Sequence, residues 1–298
     1  MGLLLFILSK LSARRARSLL RALATLVFYL GVRRRIALEN LERAFPEMSP
    51  RERWRLARAN YRHLGECAAD FLRSPSLSDD ELGAMVDRGD WEIVDRFMRV
   101  RQGVIVCTAH FGNFELFGVY AARNNVPLTL LTRQLKGSAN ARWVGTRALA
   151  GIKEIHKGMD NLVQSVSAGE VLGLLIDQNM LLKRAVFVPF FGTLAATTPA
   201  PAVVAERTGA PVVLTVLVKV SEGHYRMHAE GPFTFERKTD DRDRDVLEFT
   251  TMINERFERL VREHPEQWLW LHRRWKTRPV QAAQPAGAGD GGGATGRQ

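Results

Sequence analysis

The spacing of hydrophobic residues predicts helices in the first quarter of the chain. Between residues 36 and 72, apolar side chains recur every three or four positions, which is the period of an amphipathic helix. Ser49 followed by Pro50 predicts the start of a second helix in this stretch, because serine is a favoured N-cap and proline fits the first helical turn. We therefore expect two helices within 36–72, joined by a turn at Pro46.

Short uninterrupted runs of apolar residues follow from residue 103 onwards, and many of their side chains are β-branched. Runs of this kind are typical of strands in a parallel sheet that is covered on both faces. We expect such strands at 103–109, 127–132, 171–176 and 211–220, with an antiparallel edge strand at 225–235. The helices expected between and after them are 115–124, 138–150, 160–168, 199–208 and 243–263. The alternation predicts an α/β fold with a mostly parallel central sheet and helices on both of its faces.

The composition supports a folded domain and excludes several classes of protein. With 46% hydrophobic and 25% charged residues, the chain is neither intrinsically disordered nor a multi-span membrane protein. Its two cysteines, Cys67 and Cys107, predict neither a disulfide framework nor a cysteine zinc site. Residues 280–298 are rich in glycine and alanine, and we expect them to be disordered.

The net charge of +11 is concentrated at the N-terminal end. Residues 1–35 hold eight basic side chains and no acidic one, whereas the remaining chain has 35 basic and 32 acidic side chains. One narrow sector of a helix here would hold four of the basic side chains, those of Lys10, Arg14, Arg17 and Arg21. Leucines would occupy the opposite side of this helix. No apolar run in the segment approaches the ~20 residues that span a bilayer.

This N-terminal pattern predicts an amphipathic helix that lies in the membrane interface, where anionic headgroups attract lysine and arginine. Two other interpretations remain open. One is a cleaved signal peptide, which fits poorly because the charges follow the first apolar run, and the other is an ordinary amphipathic helix packed on the domain. We thus divide the chain into a basic membrane-anchoring segment (1–35), a folded domain (36–279) and a disordered tail (280–298).

The strongest candidate for chemistry is the stretch 108–115, directly after the first predicted strand. Ligands of open α/β sheets bind beyond the carboxyl ends of the strands, so His110 is positioned where catalysis is expected. With a turn at Gly112, Glu115 in the next helix could reach back to the imidazole of His110. A carboxylate there would fix the tautomer and raise the basicity of the histidine, as suits a general base.

The residues alone leave a structural alternative open, in which His110 ends a strand and Glu115 is an acid favoured at a helix start. No G-x-S-x-G elbow occurs in the chain, and Cys107 lies inside the predicted strand. A basic His110 would therefore deprotonate a substrate hydroxyl or a water molecule directly. That chemistry is acyl transfer or hydrolysis without a covalent enzyme intermediate.

Five blocks of sequence, taken in order, resemble the late, or secondary, acyltransferases of lipid A biosynthesis. The blocks are His110-Phe-Gly-Asn-Phe-Glu115, Asp177-Gln-Asn, Val186-Phe-Val-Pro-Phe-Phe-Gly192, Arg207-Thr-Gly-Ala-Pro-Val-Val213 and the tryptophan-rich stretch from Pro265 to Pro279. Leu38-Glu-Asn-Leu and Ala44-Phe-Pro are also similar, so the resemblance extends over roughly residues 35–279. More distantly, the first block resembles the His-x4-Asp motif of the wider glycerolipid acyltransferases.

The resemblance implies that His110 takes the proton of the attacking hydroxyl and that Glu115 orients the histidine and stabilises its charge. The substrate-binding residues that it implies are Arg133, Arg147, Asp177, Phe190, Phe191 and Gly192. The arginines are candidate donors to the oxyanion of the tetrahedral intermediate, and Asp177 matches a second acidic position. Two alternatives stay open, because Asp177 could be a turn acid that caps Asn179, and the two phenylalanines could be plain core. We expect neither a cofactor nor a bound metal.

The sequence thus predicts a membrane-associated O-acyltransferase of lipopolysaccharide biosynthesis at the cytoplasmic face of the inner membrane, held there peripherally or by a single anchor. The resemblance implies an acyl-carrier-protein thioester as donor and a lipid A precursor as acceptor, and both partners are acidic, like the membrane surface. Nucleic acid is not expected. The alternatives are an acyltransferase for another glycolipid or glycerolipid, such as phosphatidylinositol mannoside, and a basic membrane- or nucleic-acid-binding protein.

Overall fold

The computed structural model describes residues 10–132, 138–156 and 158–279. Within these ranges it confirms a mixed α/β fold with a mostly parallel central sheet flanked by helices. The predictions made for residues 1–9, for Arg133 and for the tail at 280–298 lie outside the described residues.

The elements follow the predicted order along the chain. The helices are α1 (Ala13–Tyr29), α2 (Arg34–Ala44), α3 (Pro50–Arg73), α4 (Asp79–Met85), α5 (Glu92–Arg99), α6 (Phe114–Arg123), α7 (Ser138–Leu149), α8 (Met159–Ser167), α9 (Ala200–Thr208) and α10 (Arg242–Glu263). The strands are β1 (Val86–Asp87), β2 (Val104–Thr108), β3 (Leu128–Leu131), β4 (Lys153–Ile155), β5 (Val171–Leu175), β6 (Val186–Phe190), β7 (Thr193–Thr197), β8 (Val212–Ser221) and β9 (His224–Phe233).

The start of α3 confirms the predicted capping. The Ser49 side chain accepts a hydrogen bond from the backbone of Glu52, and the Glu52 carboxylate accepts one from the Ser49 backbone over 2.7 Å. This reciprocal pair, with Pro50 in the first turn, satisfies amide groups that a helix start otherwise leaves without partners. The long helix therefore begins where the sequence predicts.

The central sheet has the strand order β1-β9-β8-β2-β5-β3-β4. β2 lies in its middle and pairs in parallel with β5 on one side and β8 on the other. β9 is antiparallel to β8, as predicted, but the two-residue β1 pairs with its other side, so the expectation that β9 is the edge strand is wrong. A strand of two residues is too short to show a hydrophobic period.

Several other short elements were not predicted, among them α5. β4 has three residues, and β6 and β7 form a separate antiparallel hairpin that includes the block Val186 to Gly192 of the family resemblance. Pro189 lies within β6. A proline lowers the expectation of a strand, but in a two-stranded hairpin every strand is an edge, where a missing backbone donor is tolerated.

Helix α1 packs on α3 through the basic side chains that were predicted to face the membrane. Arg17 Nε lies 2.7 Å from Asp70 Oδ1, and Arg21 Nη1 lies 3.2 Å from Glu66 Oε1. The predicted cationic membrane stripe is therefore wrong for these two arginines. A Cβ at Gly65 would lie 2.5 Å from the Leu20 carbonyl oxygen, so this glycine lets the two helices approach closely.

The outer side of α1 is apolar. Leu23, Leu26, Val27 and Leu30 are exposed and recur at the spacing of one helix face. Within the described ranges, no helix combines the length and the apolar character needed to span a bilayer.

Candidate active site

The parallel pairing of β2 with β5 brings the two main site residues together. Thr108, the last residue of β2, is in register with Leu175, the last residue of β5. His110 and Asp177 each follow two residues later, so they leave the sheet side by side at its carboxyl edge. This is the edge at which open α/β sheets bind their ligands.

His110 and Asp177 form a hydrogen-bonded pair. His110 Nδ1 lies 2.9 Å from Asp177 Oδ1, and the backbone N–H of His110 donates to Asp177 Oδ2 over 3.0 Å. The indole N–H of Trp268 donates to the same Oδ2 over 2.8 Å. Burial alone would raise the pKa of Asp177, but attraction to His110 and these hydrogen bonds outweigh it and lower the pKa below its usual value. Asp177 is therefore an ionised, buried carboxylate.

An ionised Asp177 fixes the tautomer of His110. Since a carboxylate only accepts hydrogen bonds, Nδ1 of the neutral imidazole carries the proton and Nε2 carries the lone pair. Nε2 lies 3.0 Å from the side-chain nitrogen of Gln178, whose own side chain is exposed to solvent. The basic nitrogen of the site thus faces an exposed side chain, on a ring that is itself 16% exposed.

The alternative role of Asp177 as a turn cap is not the arrangement in the structure. The backbone N–H of Asn179 donates to His272 Nε2 over 2.9 Å, and its side chain donates to Thr277 over the same distance. Burial lowers the pKa of His272, in keeping with a neutral ring that accepts a hydrogen bond.

Glu115 binds an arginine, and Asp177 is the carboxylate hydrogen-bonded to the His110 ring, so the catalytic role expected of Glu115 stays a prediction. Its carboxylate accepts two hydrogen bonds from Arg147, one of them from Nε over 2.9 Å, and Arg147 also binds Glu154 over 3.1 Å. Glu115 is buried at the start of α6, and its side chain contacts Arg147 of α7. The place beside Nδ1 of His110 belongs to Asp177 because the sheet register aligns the ends of β2 and β5.

The turn that carries His110 requires glycine at position 112. Gly112 has a φ of 58°, and a Cβ there would lie 1.9 Å from the carbonyl oxygen of Leu217 in β8. Gly112 N–H donates to Gln267 over 3.0 Å, and Leu269 N–H donates to the His110 carbonyl oxygen over 2.9 Å. The turn is therefore held between β8 and the C-terminal segment.

A buried polar cluster that the sequence did not predict lies beneath this turn; its members are His63, Cys67, Asp70, Asn113 and Tyr225. His63 Nε2 lies 3.2 Å from the Gly112 carbonyl oxygen. The Tyr225 hydroxyl donates to Asp70 over 2.7 Å and accepts from Asn113 over 3.1 Å. Burial lowers the pKa of His63 to about 4. The available signal was the spacing of three polar residues, four and then three positions apart, along the buried side of α3.

The C-terminal block contacts Asp177 through Trp268 and is itself held by two asparagines. Asn60 Nδ2 donates to the Trp268 carbonyl oxygen over 2.6 Å, and Asn40 Nδ2 donates to that of Trp270 over 2.7 Å. Both asparagines are buried, on α3 and α2. They fix the backbone of the segment whose Trp268 indole binds Asp177, so the N-terminal helices help to position the site.

The two phenylalanines of the β6–β7 hairpin lie in the core. Phe190 is fully buried and packs against Trp268 with ring centroids 5.2 Å apart. Phe191 is buried beside Trp270 and Phe45. Gly192 follows at the hairpin turn with a φ of 69°. Of the two interpretations that the sequence left open for these aromatic side chains, the structure favours the core.

A narrow cavity of about 30 Å³ lies beside the Glu115–Arg147 pair, between α6 and strands β2, β3 and β5. Thr108 lines it together with this ion pair. The rest of the lining is mostly apolar and includes Val106, Phe117, Gly118, Leu128, Leu130 and Ile152. The cavity therefore begins near the residues after β2 and offers an aliphatic environment below them.

Comparison with a family model links this arrangement to known acyltransferases. The model described as bacterial lipid A biosynthesis acyltransferase matches residues 2–277. That match includes every site residue that the sequence predicted.

Individual proteins are similar over most of the chain. The lipid A biosynthesis palmitoleoyltransferase of Escherichia coli (strain K12) is 28% identical over 261 residues, which covers 85% of this chain and 81% of that protein. The lauroyltransferase of lipid A biosynthesis from the same organism is 25% identical over 263 residues, covering 84% and 81%. A phosphatidylinositol mannoside acyltransferase of Mycobacterium tuberculosis (strain ATCC 25618 / H37Rv) is 22% identical over 227 residues, covering 73% and 69%.

Proposed function

Since this chain belongs to the bacterial lipid A biosynthesis acyltransferases, we propose that it transfers a fatty acyl chain from an acyl-carrier-protein thioester to a hydroxyl of a lipid A precursor. The observation that carries the proposal is the His110–Asp177 pair at the carboxyl edge of the sheet, next to a narrow apolar cavity. The pair supplies a base, and the cavity supplies an apolar environment for a hydrocarbon chain.

In the proposed reaction, Nε2 of His110 takes the proton of the acceptor hydroxyl as its oxygen attacks the thioester carbon. Asp177, which is buried and ionised, accepts a hydrogen bond from Nδ1–H and stabilises the imidazolium that forms. The tetrahedral intermediate then collapses, the carbon–sulfur bond breaks, and the imidazolium returns its proton to the leaving thiolate. No acyl-enzyme intermediate is involved.

Glu115 and Arg147 are proposed to shape the entrance to the cavity rather than to act on the base. Arg147 is shared between two carboxylates, which offset its charge and fix its side chain beside the cavity. This arrangement supports a role in positioning the acyl thioester. Arg133 and the hairpin residues Phe190, Phe191 and Gly192 remain proposed contributors to substrate binding, the aromatic pair by supporting the site from the core.

The cavity is proposed to widen and receive the acyl chain, because its volume of about 30 Å³ is smaller than a fatty acyl chain. Aliphatic side chains line it, and burial of a hydrocarbon in such surroundings is favourable by about 0.8 kcal/mol per methylene group. A narrow, mostly apolar pocket also limits how many methylene groups fit, so the residues around it are proposed to set the preferred chain length.

Helix α1 is proposed to dock the protein on the cytoplasmic face of the inner membrane. Its outer side carries Leu23, Leu26, Val27 and Leu30, and exposed arginines flank both of its ends. Exposed apolar residues beside basic ones favour an anionic lipid surface. In this proposal residues 1–35 form the membrane-docking segment and residues 36–279 the catalytic domain.

The test is acyl transfer by the purified protein from carrier-protein thioesters to lipid A precursors, followed by mass spectrometry of the lipid product. The wild type should form an ester-linked product, and His110→Ala should lose transfer while it still melts cooperatively. Transfer by His110→Ala at the wild-type rate would contradict the mechanism. A phosphatidylinositol mannoside acceptor belongs in the same assay, and exclusive acylation of it would contradict the proposed acceptor.

A further inference from the structure

The side chain of Gln178 occupies the position at which the acceptor hydroxyl must bind. Its amide nitrogen lies 3.0 Å from Nε2 of His110, the nitrogen that carries the lone pair. Since Asp177 fixes the proton on Nδ1, this contact is a hydrogen bond that the amide donates to the base. An incoming hydroxyl has to displace this donor before it can give its own proton to Nε2.

Displacement leaves the amide close to the reacting carbon. Gln178 is exposed and has a flexible side chain, so it moves aside without opening the core. The thioester carbonyl oxygen lies two bonds from the attacking oxygen once the tetrahedral intermediate has formed. A donor that begins 3.0 Å from Nε2 is therefore within a short movement of the developing negative charge.

The backbone amides of the His110 turn are already engaged. His110 N–H donates to Asp177, Gly112 N–H to Gln267 and Asn113 N–H to Leu217. Arg147, one of the two arginines predicted to stabilise the oxyanion, is bound by two carboxylates, and the other, Arg133, lies outside the described residues. Among the described residues, Gln178 is the polar side chain that contacts Nε2, which makes it the candidate oxyanion donor beside the base.

We infer that Gln178 is a catalytic residue whose amide N–H caps Nε2 of His110 in the free enzyme and donates to the thioester carbonyl oxygen in the tetrahedral intermediate. This inference rests on the proposed function. As the hydroxyl oxygen bonds to the thioester carbon, its proton passes to Nε2 and the carbonyl electron pair moves to oxygen, where the amide stabilises the charge. Collapse restores the carbonyl, breaks the carbon–sulfur bond and returns the proton to sulfur.

The kinetic test compares Gln178→Ala and the isosteric Gln178→Glu with the wild type in the acyl-transfer assay. Loss of one oxyanion donor should lower kcat by about 10²–10³-fold, with a much smaller change in KM. Gln178→Glu should lose at least as much, because a carboxylate repels the oxyanion. Gln102→Ala, an exposed glutamine at the opposite end of β2, is the matched control and should keep the wild-type rate.

A second measurement needs no substrate. Diethyl pyrocarbonate acylates unprotonated imidazole, and peptide mass spectrometry reports the modification of His110 separately from the other histidines. If the amide caps Nε2, Gln178→Ala should be carbethoxylated at His110 several times faster than the wild type, and an unchanged rate overturns the cap. A Gln178→Ala enzyme with kcat within about two-fold of wild type overturns the oxyanion role. A wild-type enzyme that acylates no lipid overturns the proposed function instead, so the two failures are distinguishable.

Discussion

Asp177 accepts three hydrogen bonds at once, from the His110 ring, the His110 backbone and the Trp268 indole. Asparagine has one acceptor oxygen and one NH₂ group, so Asp177→Asn has two possible orientations. In the first, the NH₂ group faces His110 Nδ1. In the second, it faces the two donors at the other oxygen position, the His110 backbone N–H and the Trp268 indole N–H. The first outcome moves the ring proton to Nε2 and removes the base. We expect kcat to fall by about 10³–10⁴-fold, as measured by acyl transfer at saturating substrate.

Glu115→Gln is the control for this prediction, because Glu115 is the carboxylate that the spacing of the sequence had assigned to the imidazole. In the structure it binds Arg147, so its loss should act mainly on KM through the cavity entrance and leave most of kcat intact. A larger loss of kcat in Glu115→Gln than in Asp177→Asn would mean that the assignment of the His110 partner is wrong.

His63 should make stability depend on pH. Its pKa in the folded protein is about 4, below the ordinary value of 6.5, because the ring is buried. The unfolded chain therefore binds a proton at His63 more readily than the folded protein does. The contribution of neutral His63 to the free energy of unfolding is complete above pH 6.5 and is lost as the pH falls towards 4. We expect a loss of about 3 kcal/mol in the free energy of unfolding over this range, measured by denaturant titration.

The reference for the pH prediction is His63→Asn, which has no ring to protonate. Other acidic groups also titrate in this range, so the relevant quantity is the difference in the free energy of unfolding between the wild type and His63→Asn at each pH. That difference should shrink or change sign as the pH decreases. Parallel pH profiles for the two proteins would show that His63 does not bind its proton differently in the folded and unfolded states.

At the scale of elements, the strands that carry the site were the most predictable part of the chain. β2 and β5 are continuous apolar runs, and their ends alone place His110 and Asp177 at the edge of the sheet. Strand order and register depend on contacts between distant residues, and no local pattern encodes them. The sequence therefore indicated both side chains but not that Asp177 is the carboxylate hydrogen-bonded to His110.

Elements with weak local signals were missed for the same physical reason. β4 and the β6–β7 hairpin are short, and their pairing partners stabilise them more than their own residues do. The buried cluster beneath the His110 turn joins α3, α6 and β9, which are far apart along the chain. Only α3 contributes several members of the cluster, at a helical spacing of three to four residues. The polar residues on the buried side of α3 were therefore the single local indication.

The contact between α6 and the loop before β4 should control acyl chain length. A Cβ at Gly118 would lie 3.3 Å from Ile152 Cδ1, so a side chain there enters the cavity. Gly118→Val should lower kcat/KM for the longest accepted thioester by about 10-fold or more relative to one shorter by two carbons, measured by competition between the two donors. Gly83→Val is the matched control, since a Cβ on this helical glycine meets no atom within 4 Å. An unchanged ratio in Gly118→Val would exclude this cavity as the acyl site.

At the scale of the whole molecule, the structure separates two uses of the N-terminal arginines. Arg17 and Arg21 are turned inwards, where they bind Asp70 and Glu66 on α3. Arg33, at the other end of α1, donates to the carbonyl oxygen of Leu271, one residue before the histidine that binds the chain after Asp177. The turn after α1 therefore contacts the C-terminal segment that supports the site, so a lipid surface bound by this helix would lie on the side of the molecule where that segment is held.

This geometry leads to a prediction about membrane binding. Leu26 and Leu30 are 52% and 70% exposed on the outer side of α1, so serine at both positions should leave the core intact. If these side chains enter the lipid interface, the double variant should bind vesicles containing anionic lipid about 10-fold or more weakly, measured by sedimentation. Val100→Ser is the matched control, because Val100 is 68% exposed on another element and should have no effect.

Acyl transfer to a lipid in vesicles should fall with binding, whereas hydrolysis or transfer with detergent-dispersed acceptor should not. Wild-type vesicle binding by the double variant would mean that α1 is not the docking surface, even if the active site is correctly assigned.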